Sequence, residues 1–349
     1  MEEYISLLKK IIMTPSFSYE ESNVATIIRN FLKSKNINFQ VESNNTWCKN
    51  DSWKEGKPVI LLNSHIDTVK PAKNWSSDPF TPILEGDKLI GLGSNDAGAP
   101  LVTLMAVFIS LNKEKNLPYN LIYLASAEEE ISGPNGIERV FPVLGKIDLA
   151  IIGEPSGMEM AIAEKGLLVL DCNAHGKSGH AARTTGVNAL YKALDDIQII
   201  RNYNFEKSSK ILGSVKLSVT QINAGSQHNV IPDLCSFVID VRTNEYYSNS
   251  DVLKIIQKII SSDVKARSLR LNSSAISSNH PIVLRALEIG IPCVGSPTTS
   301  DQAVISCPSV KIGPGDSNRS HTANEYVLIS EIKNSLPIYL KLLKNLNLN

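Results

Sequence analysis

Apolar residues recur at helical spacing from the start of the chain, where Ile5, Leu8, Ile11 and Ile12 share one face of a predicted helix over residues 4–13. Ser18-Tyr19-Glu20-Glu21 has the form of a capping box. It precedes Val24, Ile27, Ile28, Phe31 and Leu32, which predict a second helix. Ile37, Phe39 and Val41 alternate as in a strand with one covered face. Three short runs, residues 59–62, 121–125 and 149–152, are continuously apolar and predict strands buried on both faces. A long apolar helix is predicted over 101–111. A final helix over 329–346 is predicted to turn Ile332, Leu336, Leu340 and Leu343 inward, with Pro337 a site for a kink or a break. Strands alternating with helices predict an α/β sheet covered by helices on both faces.

The middle of the chain has a different rhythm. Strand 167–173, helix 187–200, strands 214–222 and 235–241, helix 252–260 and strand 266–271 follow in that order. The order β-α-β-β-α-β is the ferredoxin-like pattern, complete as a small domain. Residues 165–273 are therefore expected to be inserted into a larger, discontinuous domain of 1–164 and 274–349.

A length of 349 residues fits about two domains. Thirty-five basic side chains balance thirty-five acidic ones, which argues against a nucleic-acid partner. There is no run of 18 apolar residues, so no membrane span is expected. The acidic opening Met1-Glu2-Glu3-Tyr4 does not read as a secretory signal. The five cysteines are scattered and read as reduced thiols. The expectation is a soluble cytoplasmic protein.

Chemistry concentrates where predicted strands end. His65 and Asp67 follow the 59–62 run and project to the same side. They suit a metal ligand with its orienting carboxylate, or a satisfied loop pair. In Gly91-Leu92-Gly93-Ser94-Asn95-Asp96, an aspartate stands where a dinucleotide-binding turn needs its third glycine. The carboxylate would repel a pyrophosphate, so the turn either presents Asp96 to a ligand or caps the next helix. Glu128, Glu129 and Glu130 end the 121–125 strand, and their mutual repulsion calls for a polyvalent cation or a solvated turn. Glu154 follows the 149–152 strand, and His321 lies in a glycine-bearing loop before the last helix. Together His65, Asp96, Glu130, Glu154 and His321 suit two zinc-like ions bridged by one carboxylate, leaving Glu129 as a proton acceptor.

These segments, in this order and approximate spacing, resemble the metallo-amidohydrolase and peptidase family of acetylornithine deacetylase, succinyl-diaminopimelate desuccinylase and glutamate carboxypeptidase. The resemblance covers nearly the whole chain. It is strongest to the acetylornithine deacetylases, in Glu164-Lys165-Gly166 and in His175-Gly176-Lys177-Ser178-Gly179-His180-Ala181-Ala182-Arg183. It implies a zinc-peptidase-like mixed sheet with the ferredoxin-like insertion acting as lid and dimerisation domain. It also implies two divalent ions, Zn2+ with Co2+ or Mn2+ as substitutes. His65 would bind one ion and His321 the other, Asp96 would bridge them, and Glu130 and Glu154 would complete one shell each. Asp67 would hold His65 and Glu129 would be the general base. Glu128 departs from the aspartate of many members.

From the insertion, the resemblance implies that His180 reaches the partner's site in a homodimer. Asn229 and Arg242 would grip a substrate carboxylate, although Arg242 also suits a structural ion pair. Ser300 and Gly315 would add hydroxyl and backbone donors, while His175, His228 and His280 read as ordinary polar residues. The implied substrate is a small N-acyl amino acid: N-acetylornithine in arginine biosynthesis, or an N-acetyl or N-succinyl ornithine or citrulline. Alternatives are a succinyl-diaminopimelate desuccinylase, a dizinc dipeptidase or carboxypeptidase and, more remotely, an inactive binding relative. Neither a nucleic acid nor a membrane is expected as a partner.

Overall fold

Leu61 and Leu62 are neighbours in sequence, yet they are buried in two different cores, one on each face of a mixed sheet. The computed structural model, which describes residues 1–348, places them in the strand Val59–His65. That strand runs parallel to Asn120–Ser126 on one side and to Leu149–Ile152 on the other. Ser309–Lys311 extends the parallel set, whereas Asn45–Lys49 and Met160–Glu164 pair antiparallel. Successive side chains of a strand point to opposite faces. A continuously apolar strand therefore needs cover on both, and the structure supplies it. Ile60 and Leu62 pack in the core that holds the helices Glu2–Ile12, Ser22–Ser34, Ala99–Leu111 and Ile329–Leu343. Val59 and Leu61 pack with Ile137, Val140 and Leu144 of the helix Ile137–Leu144.

The chain divides into two compact units. The first comprises Met1–Ile162, Ile276–Val294 and the chain from Ser300 onward; the second comprises Ala163–Ala275 and Gly295–Thr299. The second unit has the ferredoxin-like order, with an antiparallel sheet arranged Lys216–Ala224, Leu234–Thr243, Gly166–His175, Asp263–Ala266. Its helices, Ala189–Asn202 and Asn249–Ile259, share a core with Leu168, Leu170, Phe237 and Ile239 of the strands. A short ribbon pairs Gly179–His180 with Val230–Ile231.

Several predicted elements differ in detail. The Ser18 hydroxyl caps no helix: it donates to Asp67 Oδ2 at 2.7 Å, and the helix opens at Ser22 without a side-chain cap. The strand expected around residues 37–41 is Gln40–Glu42, the edge of a hairpin with Asn45–Lys49. The strand expected at 266–271 is Asp263–Ala266. In the last helix the fully buried stripe is Ile332, Ser335, Tyr339, Leu342 and Leu343. Leu336 and Leu340 pack only partly, and Pro337 lies within the helix. Residues 94–111 are long and apolar enough to cross a membrane by composition, yet 78% of the stretch is buried inside the molecule, as the core helix of the sheet.

Candidate metal centre

Three of the parallel strands, Val59–His65, Asn120–Ser126 and Leu149–Ile152, deliver their carboxyl ends to one edge of the sheet, where open α/β sheets bind ligands. His65 closes the first strand and is 2% exposed. Its Nδ1 lies 2.9 Å from the backbone carbonyl of Asp67 and 3.4 Å from Asp67 Oδ1. With the Nδ1 hydrogen donated to that carbonyl, Nε2 presents a lone pair. It points among carboxylates, 3.2 Å from Asp96 Oδ1 and 3.8 Å from Glu154 Oε1. His321 Nε2 lies 2.9 Å from Glu130 Oε2 and 3.6 Å from Asp96 Oδ2. The two imidazoles thus address opposite oxygens of Asp96. Ligand atoms of His65, Asp96 and Glu130, and likewise those of His65, Glu129 and Glu154, lie within 4.8 Å of one another.

So much acid in a dry place disturbs every group in it. Burial, with Glu154 next, holds the Glu129 carboxyl well above its ordinary range, and burial pushes Glu154 up to about 8. Glu130 is raised by burial against the pull of His321. The hydrogen bond to Glu130 lifts His321 to about 9. Burial opposes protonation of His65, but the Asp67 and Asp96 carboxylates override it and raise that imidazole. Asp96 is buried as well, yet its contact with His65 keeps it below the usual carboxylate range. In a protein without metal, lone pair would face lone pair unless protons stand between them. Two divalent ions carry four positive charges, matching the four carboxylates of Asp96, Glu129, Glu130 and Glu154. The donor set, mixed nitrogen and oxygen, suits zinc-like ions.

Asp67 supports the cluster in a way the spacing did not suggest. Its Oδ1 accepts the backbone N–H of Glu129 at 3.0 Å and its Oδ2 that of Glu130 at 3.1 Å, together with the Ser18 hydroxyl. Contact with His65, followed by the bonds from the Ser18 hydroxyl and the Glu130 N–H, works against burial and holds Asp67 below its ordinary range. Glu128 turns away, adopting φ +56°, and its carboxylate takes the backbone and side-chain N–H groups of Asn135.

Residues 61–345 match the family described as peptidase family M20/M25/M40. The chain belongs to that family. It is 27% identical over 369 residues to the succinyl-diaminopimelate desuccinylase of Wolbachia pipientis subsp. Culex pipiens, covering 98% of this chain and 92% of that protein. It is 26% identical over 376 residues to the acetylornithine deacetylase of Buchnera aphidicola subsp. Schizaphis graminum, covering 98% and 97%. Among solved structures it is similar in fold to the YXEP protein of Bacillus subtilis, described as a dinuclear metal-binding peptidase of the M20 family. That likeness has a TM-score of 0.76 at 16% identity and covers 98% of this chain and 97% of the other. This M20 protein is a metal-dependent amidohydrolase, and its cofactor is a pair of divalent ions, typically zinc.

In the second unit of the M20 chain, His180 and Asn229 are neighbours across the short ribbon. The Asn229 carbonyl accepts Ala181 N–H at 2.9 Å, and His180 Nδ1 accepts Ala182 N–H at 3.1 Å. Both side chains are exposed. The Arg242 fork is engaged on Asp240, at 2.8 and 3.1 Å, which is the ion-pair alternative left open by the sequence. In the first unit Ser300 Oγ caps a turn, accepting Gln302 N–H at 3.3 Å. Gly315 has φ +95°, and a Cβ there would stand 2.3 Å from Asn95 Oδ1.

Three polar groups near the centre escaped sequence reasoning. Ser18 read as a helix cap. The Asp301 carboxylate accepts Asn63 Nδ2 at 2.8 Å and Ser126 Oγ at 3.0 Å, and burial lifts it to about 6. Glu325 is 2% exposed, with backbone partners some 230 residues earlier in the chain. An acidic residue in a polar loop carries no local sign of such burial.

Proposed function

We propose that this M20 enzyme hydrolyses the amide of an N-acylated diamino acid, releasing the free amine and the acyl carboxylate. The observation that carries the reading is Asp96, whose two oxygens face His65 at 3.2 Å and His321 at 3.6 Å. One ion would sit with His65 and Glu154, a second with His321 and Glu130, and Asp96 would bridge them. When bound, such ions supply Lewis acidity, lowering the pKa of water to about 7 and polarising the acyl oxygen.

The chain's own groups do the proton work. Glu129 accepts a proton from the attacking water and returns it to the leaving nitrogen, as a positioned acid/base group should. Asp67 holds the Glu129 backbone in place for that exchange. His180, from the partner of a homodimer, donates to the acyl oxygen as negative charge develops. Arg242 and Asn229 hold the substrate carboxylate, which displaces Asp240 from the guanidinium, while Ser300 and Gly315 line the pocket as lesser donors. The second unit would then serve as both lid and dimer contact.

The substrate class is supported by relatives of near full length that carry two names, one acting on a succinyl and one on an acetyl derivative of a diamino acid. N-Succinyl-diaminopimelate, serving lysine synthesis, and N-acetylornithine, serving arginine synthesis, are the two leading substrates. The test is turnover of both, with N-acetylcitrulline and simple dipeptides alongside, after chelation and zinc re-addition. Turnover of one acylated diamino acid well above the dipeptides supports the reading; preference for dipeptides overturns it.

A further inference from the structure

Glu325 is a buried carboxylate for which the proposed reaction has no use. Its Oε1 accepts the backbone N–H groups of Asn95 and Asp96, each at 2.9 Å, and its Oε2 accepts that of Gly93 at 3.1 Å. Its backbone carbonyl accepts Gly91 N–H at 3.0 Å. Asn95 completes the tie from the other side. Its Nδ2 donates to the Asp316 carbonyl at 3.1 Å and to Ser320 Oγ at 3.3 Å, and its Oδ1 accepts Asp316 N–H at 3.0 Å. The turn that presents Asp96 and the loop that presents His321 are thus laced together by one carboxylate and one carboxamide.

A buried carboxylate is a costly way to close a loop, and a neutral side chain would normally suffice. Three backbone N–H groups converging on the two oxygens of one side chain make a rigid socket, because each bond is directional and a single side chain serves all three. That socket fixes the backbone of Asp96, the residue whose two oxygens face the two imidazoles. We propose that Glu325, with Asn95, is the positioning residue that orients Asp96 for both metal ions at once. This rests on the metal-site reading above. Loss of Glu130 or Glu154 would weaken one ion, whereas displacement of Asp96 weakens both. Outer groups of this kind typically govern metal affinity by about 10- to 100-fold.

The experiment is stepwise zinc binding to the metal-free full chain by chelator competition, with circular dichroism and thermal unfolding on the same samples. Glu325→Ala is expected to raise both zinc dissociation constants by about 10- to 100-fold while the protein stays folded. Glu325→Gln is expected to fall between, since its carbonyl oxygen still serves Asn95 and Asp96 but its amide confronts Gly93 N–H. Glu130→Gln and Glu154→Gln should each affect one constant. Unchanged constants in a folded Glu325→Ala, or a change in only one, overturn the proposal. So does lowered stability with unaltered affinity. If Glu325→Ala does not fold, Glu325→Gln and Asn95→Ala decide by the same criterion. A wild-type protein that takes up fewer than two zinc ions instead sinks the metal-site reading, and the proposal with it.

Discussion

The Asp67 carboxylate accepts the backbone N–H of Glu129 at 3.0 Å. A residue two positions beyond the first histidine therefore reaches across 62 positions to steady the backbone of the proposed base. Asp67→Asn places an amide against one of the N–H groups of Glu129 and Glu130. A fall in kcat of about 10- to 100-fold is expected, with zinc still bound, because groups behind a metal centre typically matter by that much. Steady-state kinetics with metal analysis of the same sample check it.

Glu129→Gln keeps the shape of the side chain and removes its basicity. The expected loss is about 100- to 10,000-fold in kcat, the usual contribution of a positioned acid/base group. KM and zinc content should change little. Near-normal turnover in a zinc-loaded variant would show that another group moves the proton.

Zinc uptake should release protons at pH 7. Without metal, Glu154 titrates near 8 and His321 near 9, so both hold protons that the ions displace. Calorimetry in buffers of different ionisation enthalpy reads the number directly, and zinc affinity should weaken as pH falls. The sign for folding follows by linkage. Between its ordinary value and about 8, Glu154 binds more proton in the folded state, so stability falls as pH rises through that window. His321 contributes stability below its ordinary value that is lost as pH rises through about 9. The metal-free protein should therefore show a falling Tm from pH 5 to 9, and zinc should flatten the fall.

His180→Ala should lower kcat by about 100- to 1000-fold, the usual effect of removing one donor to a developing oxyanion. If His180 acts across a dimer, mixing inactive His180→Ala and Glu129→Gln chains restores activity in the hybrid, since one of its two sites is intact. No recovery on mixing, or an active protein that sediments as a monomer, removes the cross-subunit role.

The core of the first unit was legible because burial on both faces leaves an unbroken apolar run, as at residues 59–62 and 149–152. The polar residues just past those strands were legible only as a set: each alone also suited a satisfied loop pair, a helix cap or a solvated turn, but their recurrence at successive strand ends pointed to a shared ligand. His65, Asp96, Glu130, Glu154 and His321 do lie together in space. Bonds made across long chain separations were not legible. Ser18 carried a good capping pattern, yet Asp67, 49 positions away, offered its hydroxyl a charged acceptor. Glu325 and Asn95 leave no periodic trace at all. Strands of three residues, such as Ser309–Lys311, are too short to show alternation and exist because their neighbours pair with them.

The proposed chemistry requires Asp96 to stand between two cations. Anomalous scattering at the zinc edge from zinc-loaded crystals tests this most directly. It should show two peaks, one beside His65 and Glu154 and one beside His321 and Glu130, with an Asp96 oxygen on each. A single peak, or zinc bound elsewhere with this cluster empty, would contradict it.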